Sequence, residues 1–274
     1  MDLLKRKLAP ILPEAWDLID AEAKRVLELR LAGRKVVDFR GPHGWKFAAV
    51  NTGRLTLLSE KDEVSIGIRR VQPLVETRVP IKLPIMELDT VARGAEDPDL
   101  EPVVAAAKKT AYLEDDTIFN GLDPAGISGI LPSSKHPALP LPADVLQLPR
   151  TVVDAKELLR KAGIGGPYVL VLGTTLYEQV YAATEEGRPL AKRLAQLISD
   201  GPAVHIVQSD AVQGAALVSA RGGDYELTIG QDLSVGYAYH TKHEVELYLA
   251  ETFTFRVLEP AAAVRIGSAG GAKA

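Results

Sequence analysis

Cysteine is absent from the 274 residues, which excludes disulfides and thiolate chemistry and suits a reducing compartment. An excess of positive charge is absent too. Lys and Arg number 32 against 36 Asp and Glu, and the net charge of −4 with no basic cluster leaves no electrostatic footprint for nucleic acid. No stretch approaches the roughly eighteen apolar residues of a membrane span. The opening MDLLKRKLAP has no apolar run of signal-peptide length. These absences predict a cytoplasmic chain with neither a membrane nor a nucleic-acid partner. What remains is ordinary for a globular protein: 46% apolar and 25% charged residues, on a chain long enough for one large domain or two lobes.

Recognisable catalytic chemistry is missing as well. The histidines are His43, His136, His205, His240 and His243. The HTKH pair has the spacing of two ligands on one helix face, but it falls at a predicted turn with no third ligand along the sequence. GIGGP (163–167) lacks the Lys-Ser/Thr of a phosphate loop and reads as a helix-ending turn. GISG (126–129) is not a nucleophile elbow, and no His/Asp pairing is in view to activate Ser128. Glu114, Asp115 and Asp116 read as a solvated or salt-bridged helix face rather than a catalytic carboxylate pair. No metal site and no cofactor is predicted.

The periodicities outline an arm and a body. Trp16, Ile19, Ala23 and Val26 form a helical stripe over 14–32, with Leu27 and Leu31 as a second stripe and Gly33 as C-cap. RLTLLSEKDEVSIGIRRV reads as a hairpin with a charged tip. From Val75 to Ile85 the odd positions are mostly apolar, with charges and prolines between them, so the stretch up to about residue 80 reads as an arm that leaves the body. A long helix is predicted over 98–120, and 121–149 is proline-rich loop. An α/β pattern follows over about 150–220. Helices are placed at 150–162, 174–183 and 189–199, and strands at 168–173, 203–207 and 215–220. The chain closes on the strand TIGQDLSVGYAYH (228–240), its partner over 244–260, and a flexible GSAGGAKA tail. Gly230 and Gly236 suggest that another backbone comes close to that strand.

Five stretches, in order, carry a resemblance: LKRKLAPILPEAWDLIDAEA, GRKVVDFRGPHGW, MELDTVARG, RGGDYELTIGQDLSVGY and AETFTFRVLEP. They resemble the encapsulin shell proteins, once called linocin-type bacteriocins, from Met1 to about Ile266. The resemblance implies an α+β chain with the tailed-phage major capsid protein fold (Hong Kong ninety-seven type). It places an N-terminal arm and helix at 1–45 and an extended loop with flanking strands at 46–85. A peripheral domain with a spine helix then covers 86–134 and 223–266, an axial domain 135–222, and a tail 267–274.

The implied function is a non-enzymatic, self-assembling icosahedral shell. It would enclose a cargo enzyme, a ferritin-like iron oxidase of iron storage or a dye-decolourising peroxidase, through the cargo's C-terminal targeting peptide. The alternatives are a phage-type major capsid protein and a hydrolase. A start directly at the arm helix, without a scaffolding region, speaks against the first, and the missing nucleophile–base set against the second. Some relatives carry a flavin, but no motif here supports one. By match to the family's sites, Arg34, Asp38, Asp232, Leu233 and Val235 are expected to bind the targeting peptide, with Leu27 and Leu31 lining the site. Thr184, Glu185, Glu186, Gly187 and Arg188 are expected in the fivefold pore loop. The competing reading is that Leu233 and Val235 are simply core, as the odd-position alternation of the strand allows.

Overall fold

The computed structural model describes residues 3–61, 63–199 and 206–267. The first half holds α1 (Pro13–Arg30), β1 (Asp38–Arg40), β2 (Ala49–Lys61), β3 (Val64–Pro73), β4 (Val75–Pro84), α2 (Ile85–Ala92), α3 (Glu101–Phe119), β5 (Gly121–Leu122), β6 (Ile127–Ser128) and α4 (Ile130–Ser133). The second half holds α5 (Leu148–Lys161), β7 (Tyr168–Leu172), α6 (Thr174–Ala182), β8 (Thr184–Glu185), β9 (Arg188–Pro189), α7 (Leu190–Ile198), β10 (Ile206–Gln208), β11 (Ala215–Ser219), β12 (Tyr225–Ile229), β13 (Ser234–His240), β14 (Glu244–Val257) and β15 (Ala263–Ile266). His205 and the tail beyond Gly267 lie outside the described residues.

The long strand β14 organises one half. β4 runs antiparallel along one of its edges, while β12 and β13 share the other, with β1 parallel to β12 beyond them. Val245, Leu247 and Leu249 face inward with Ile81 and Leu83 of β4 and Val235 of β13. Helices α1 and α3 cover that face with Ile19, Ala23, Val26, Val103, Ala107 and Ala111, whose small residues let the helices approach closely. The other half is a four-stranded sheet in the order β10-β7-β11-β15. Helix α5 lays Val152, Ala155 and Leu159 into its core. The α/β pattern read from the sequence is this sheet.

The arm is shorter than the sequence suggests. It is the β2–β3 hairpin and ends at Pro73, because β4 belongs to the body and pairs with β14 along its whole length. The prolines at 80 and 84 are tolerated because β4 is an edge strand, where a missing N–H breaks no ladder. The hairpin buries almost nothing of itself: Val64, Ile66 and Ile68 are 60%, 54% and 56% exposed, and Leu55, Leu57, Leu58 and Val71 are exposed with them. Helix α2 directly after β4 has no counterpart in the periodicity reading.

The stretch 228–240 is two strands rather than one. β12 and β13 lie end to end against the same edge of β14, separated by a turn in which the Gln231 N–H donates to Thr252 Oγ1 at 2.7 Å. The glycines there answer to the molecule's own side chains. A Cβ on Gly230 would strike Thr252 Oγ1, and one on Gly236 would strike the Tyr248 ring. Gly33 is no C-cap, since α1 ends at Arg30 with Leu31 following. Its Cβ would lie 2.5 Å from Ile118 Cδ1, so glycine stands there to let the chain pass close over α3.

Candidate functional site

Where α1 gives way to β1, the chain crosses the C-terminal part of α3, and Arg34 enters a nest of acids. Its guanidinium donates to Glu114 of α3 at 2.7–3.0 Å, to Glu251 of β14 at 2.6 Å, and pairs with Asp232 at 3.0 Å. Glu114 and Glu251 are fully buried, the Arg34 side chain is 18% exposed, and Asp232 forms the wet rim at 39%. Burial opposes the charge on Arg34, but Glu114 leads Glu251 and Asp232 in raising its pKa regardless. One cation faces three acids. Burial, and Glu114 beside it, push the Glu251 pKa well above the usual carboxyl range. Glu251 Oε2 is reached by no donor among the described residues.

One residue along α3, Asp115 is buried on the neighbouring face. It accepts from the Gly33 N–H at 2.8 Å, the Ala32 N–H at 3.2 Å and Ser209 Oγ at 2.9 Å. Burial pushes its carboxyl up to about 7, against the pull of those three donors. Nearby, Asn120 donates to the Ala211 carbonyl at 2.8 Å, and Arg30 pairs with Asp210. These bonds tie α1 and α3 to the loop after β10. Of the solvated or salt-bridged face read at 114–116, Glu114 is salt-bridged but fully buried and Asp115 is buried, while Asp116 is half-buried and holds Asn120.

The structure divides the expected docking residues into three groups. Arg34, Asp232 and Leu233 come together at the start of β13, with Phe39 40% exposed and its ring 5.2 Å from the Arg34 guanidinium carbon. Leu233 is half-buried. Leu27, Leu31 and Val235 are core: all three pack among α1, α3 and the sheet, Val235 at 3% exposure, and none offers surface to a ligand. The second helical stripe meets the same core as the first. Asp38 is separate, accepting at 2.6 Å from the Gly223 N–H and so holding the turn before β12. Phe39 is the residue the motif match did not include, and its signal was a large apolar side chain beside two charges on a short strand.

The expected pore residues form one feature. β8 and β9 make a small hairpin between α6 and α7, with Glu186 and Gly187 at φ +50° and +77°. Glu185 is held by Arg193 of α7, so Glu186 and Arg188 are the exposed charges of the tip. His240 Nδ1 is 2.6 Å from the Tyr237 hydroxyl. Among the described residues no group of three His, Cys, Asp or Glu side chains is placed to hold a metal, and no helix is long and apolar enough to cross a membrane.

Comparison with known proteins fits this geometry. The family described as encapsulating protein for peroxidase matches residues 1–254. A type 1 encapsulin shell protein of Rhodospirillum rubrum is 45% identical over 272 residues, covering 96% of each chain. One from Mycobacterium tuberculosis is 43% identical over 256 residues, covering 93% of this chain and 95% of its own. Among solved structures, the virus-like particle of Pyrococcus furiosus matches at a TM-score of 0.63 and 14% identity, over 92% of this chain and 98% of that one. The capsid of the myovirus XM1 matches at 0.54 and 14%, over 85% and 88%. These likenesses show the tailed-phage capsid fold. The chain is a self-assembling shell protein, and it belongs to the family of encapsulating proteins for peroxidase, the type 1 encapsulin shell proteins.

Proposed function

We propose that the chain builds an icosahedral, cytoplasmic nanocompartment that takes up a cargo enzyme by the cargo's C-terminal peptide. A peroxidase is the cargo that the family's description favours. The observation that carries the reading is the β2–β3 hairpin, whose apolar side chains stand in solvent in the isolated chain and suit burial against a neighbouring copy. In this reading the sheet around β14 with α3 is the peripheral domain and α3 its spine. The β10-β7-β11-β15 sheet is the axial domain, and the β8–β9 tip lines the fivefold pore.

The docking site is the surface formed by Arg34, Phe39, Asp232 and Leu233 beside the edge strand β13. Phe39 and Leu233 offer apolar contact, and Asp232 offers an anion at the rim. An extended peptide added to a strand edge takes its affinity from main-chain bonds and its specificity from such side-chain pockets. The test is co-expression with a peroxidase carrying its targeting peptide, counting cargo per purified particle. Leu233→Asp should leave shells of normal size with little cargo. Normal loading would overturn the site. Val235→Asp, a charge in the core, should instead remove the shells.

A further inference from the structure

The edge of β13 already has an occupant. The Tyr237 N–H donates to the Leu4 carbonyl at 2.8 Å, and the Tyr248 hydroxyl donates to the Leu3 carbonyl at 3.0 Å. The segment is also held where Arg6 pairs with Asp20 of α1 at 2.7 Å and stacks over Trp16 at 4.0 Å. Much of its side-chain surface is exposed. Leu3 and Leu8 are 49% and 67% exposed, none of the residues in the 3-10 turn Arg6–Leu8 is buried, and Lys5 sits in the left-handed region at φ +50°. A non-glycine residue in that region is strained. Main-chain bonding to a strand edge, apolar side chains left outside and one charged anchor describe a bound peptide more than part of a core.

The position of this occupant matters for docking. β13 is the terminal strand of its sheet path, and its pleat sends the Val235 N–H out of the same edge as that of Tyr237. A peptide entering at Leu233 and extending along β13 meets Leu4 within a few residues. We propose that Leu3–Leu8 is a resident, displaceable ligand of the β13 edge, and that an incoming extended peptide with a basic residue between apolar ones must take its place. This rests on the docking site proposed above. The resident reports the chemistry the edge accepts: Leu-Leu-Lys-Arg-Lys-Leu, with one cation delivered to Asp20 and Trp16. Occupation by the chain's own terminus lowers the apparent affinity of any competitor by the fraction of time the edge is free.

The probe is a fluorescein-labelled peptide with the sequence of residues 3–9, titrated by anisotropy onto shells of the full chain and of a chain lacking residues 1–9. Binding should be about tenfold tighter or more on the truncated shells, and a probe carrying Arg6→Glu should lose most of that gain. Should the truncated chain fail to assemble, Asp20→Arg in the full chain serves instead, and should prefer the Arg6→Glu probe over the native one. Equal binding to full and truncated shells, binding to neither, or no preference in the charge-swapped pair would overturn the resident. Peroxidase loading of the same particles separates the two layers of the argument. Loading should rise with truncation. A probe difference with unchanged loading would overturn the coupling of resident to cargo, and an absence of loading in every shell, the probe difference intact, would overturn the docking site alone.

Discussion

Two consecutive strands, β3 and β4, have ten residues each and a similar pattern: apolar side chains alternating with polar, charged or small ones, and a proline at the last position. Their fates differ. β4 puts Ile81 and Leu83 into the core against β14, while β3 turns Val64, Ile66 and Ile68 to solvent with only β2 beside it. Alternation announces that one face of a strand is to be buried, but not which molecule buries it. In a shell subunit the identity of the burying molecule carries the function, because the apolar surface left over is an instruction for assembly.

The largest effect expected comes from removing one side of the comparison. Deleting Leu57 to Val71 should abolish closed shells and leave subunits of near-normal helix content, read by native mass and circular dichroism. Particles of unchanged diameter would dissolve the contrast between the strands. A matched pair sharpens it further. Ile81→Asp places an unpaired charge in a fully packed site and should cost more than about 4 kcal/mol, giving insoluble chain. Ile66→Asp is the same change on the exposed strand and should give soluble, folded subunits that fail to close. Denaturation midpoints and particle yield read both.

Much of this was legible in the sequence, and the parts that were not share a cause. The α1 stripe, the long α3 helix and the α/β pattern follow from periodicity that each segment carries by itself. The end of the arm at Pro73 depends on β14, which lies about 170 residues further along, and no local pattern in 75–84 names that partner. The burial of the acids at 114 and 115, read as a solvated or salt-bridged face, was not legible because their partners, Arg34, Glu251, Gly33 and Ser209, are remote in sequence. The available signal was Glu251 breaking the apolar parity of β14. The docking residues expected from the resemblance are split by the structure, because a family match selects positions, whereas burial of Leu27, Leu31 and Val235 is settled by packing.

That buried network gives the next two effects, on the body side of the comparison. Arg34→Met leaves Glu114 and Glu251 without a cation and should destabilise the subunit by about 3 kcal/mol near neutral pH, read by denaturation midpoints. Asp115 has a folded pKa raised to about 7, so its contribution is fully present below the ordinary carboxyl pKa. It is lost as pH rises from about 4 to 7 and is flat above that. Asp115→Asn should flatten that fall in denaturation midpoints across this range, and an unchanged slope would contradict the assignment. The smallest effect belongs to the β8–β9 tip. Glu185→Lys with Glu186→Lys should alter the rate of ferrous-ion entry into loaded shells by a few-fold, more at low salt than at high, without changing particle size. Equal entry rates at low salt would remove the pore role.

The most direct measurement of the central claim is a cryo-electron-microscopy map of the assembled particle at side-chain detail. The account predicts a closed shell in which the β2–β3 hairpin of each subunit lies against a neighbour and Val64, Ile66 and Ile68 are buried at that contact. A closed shell with the hairpin standing free in solvent, its apolar side chains as exposed as in the single chain, would contradict it.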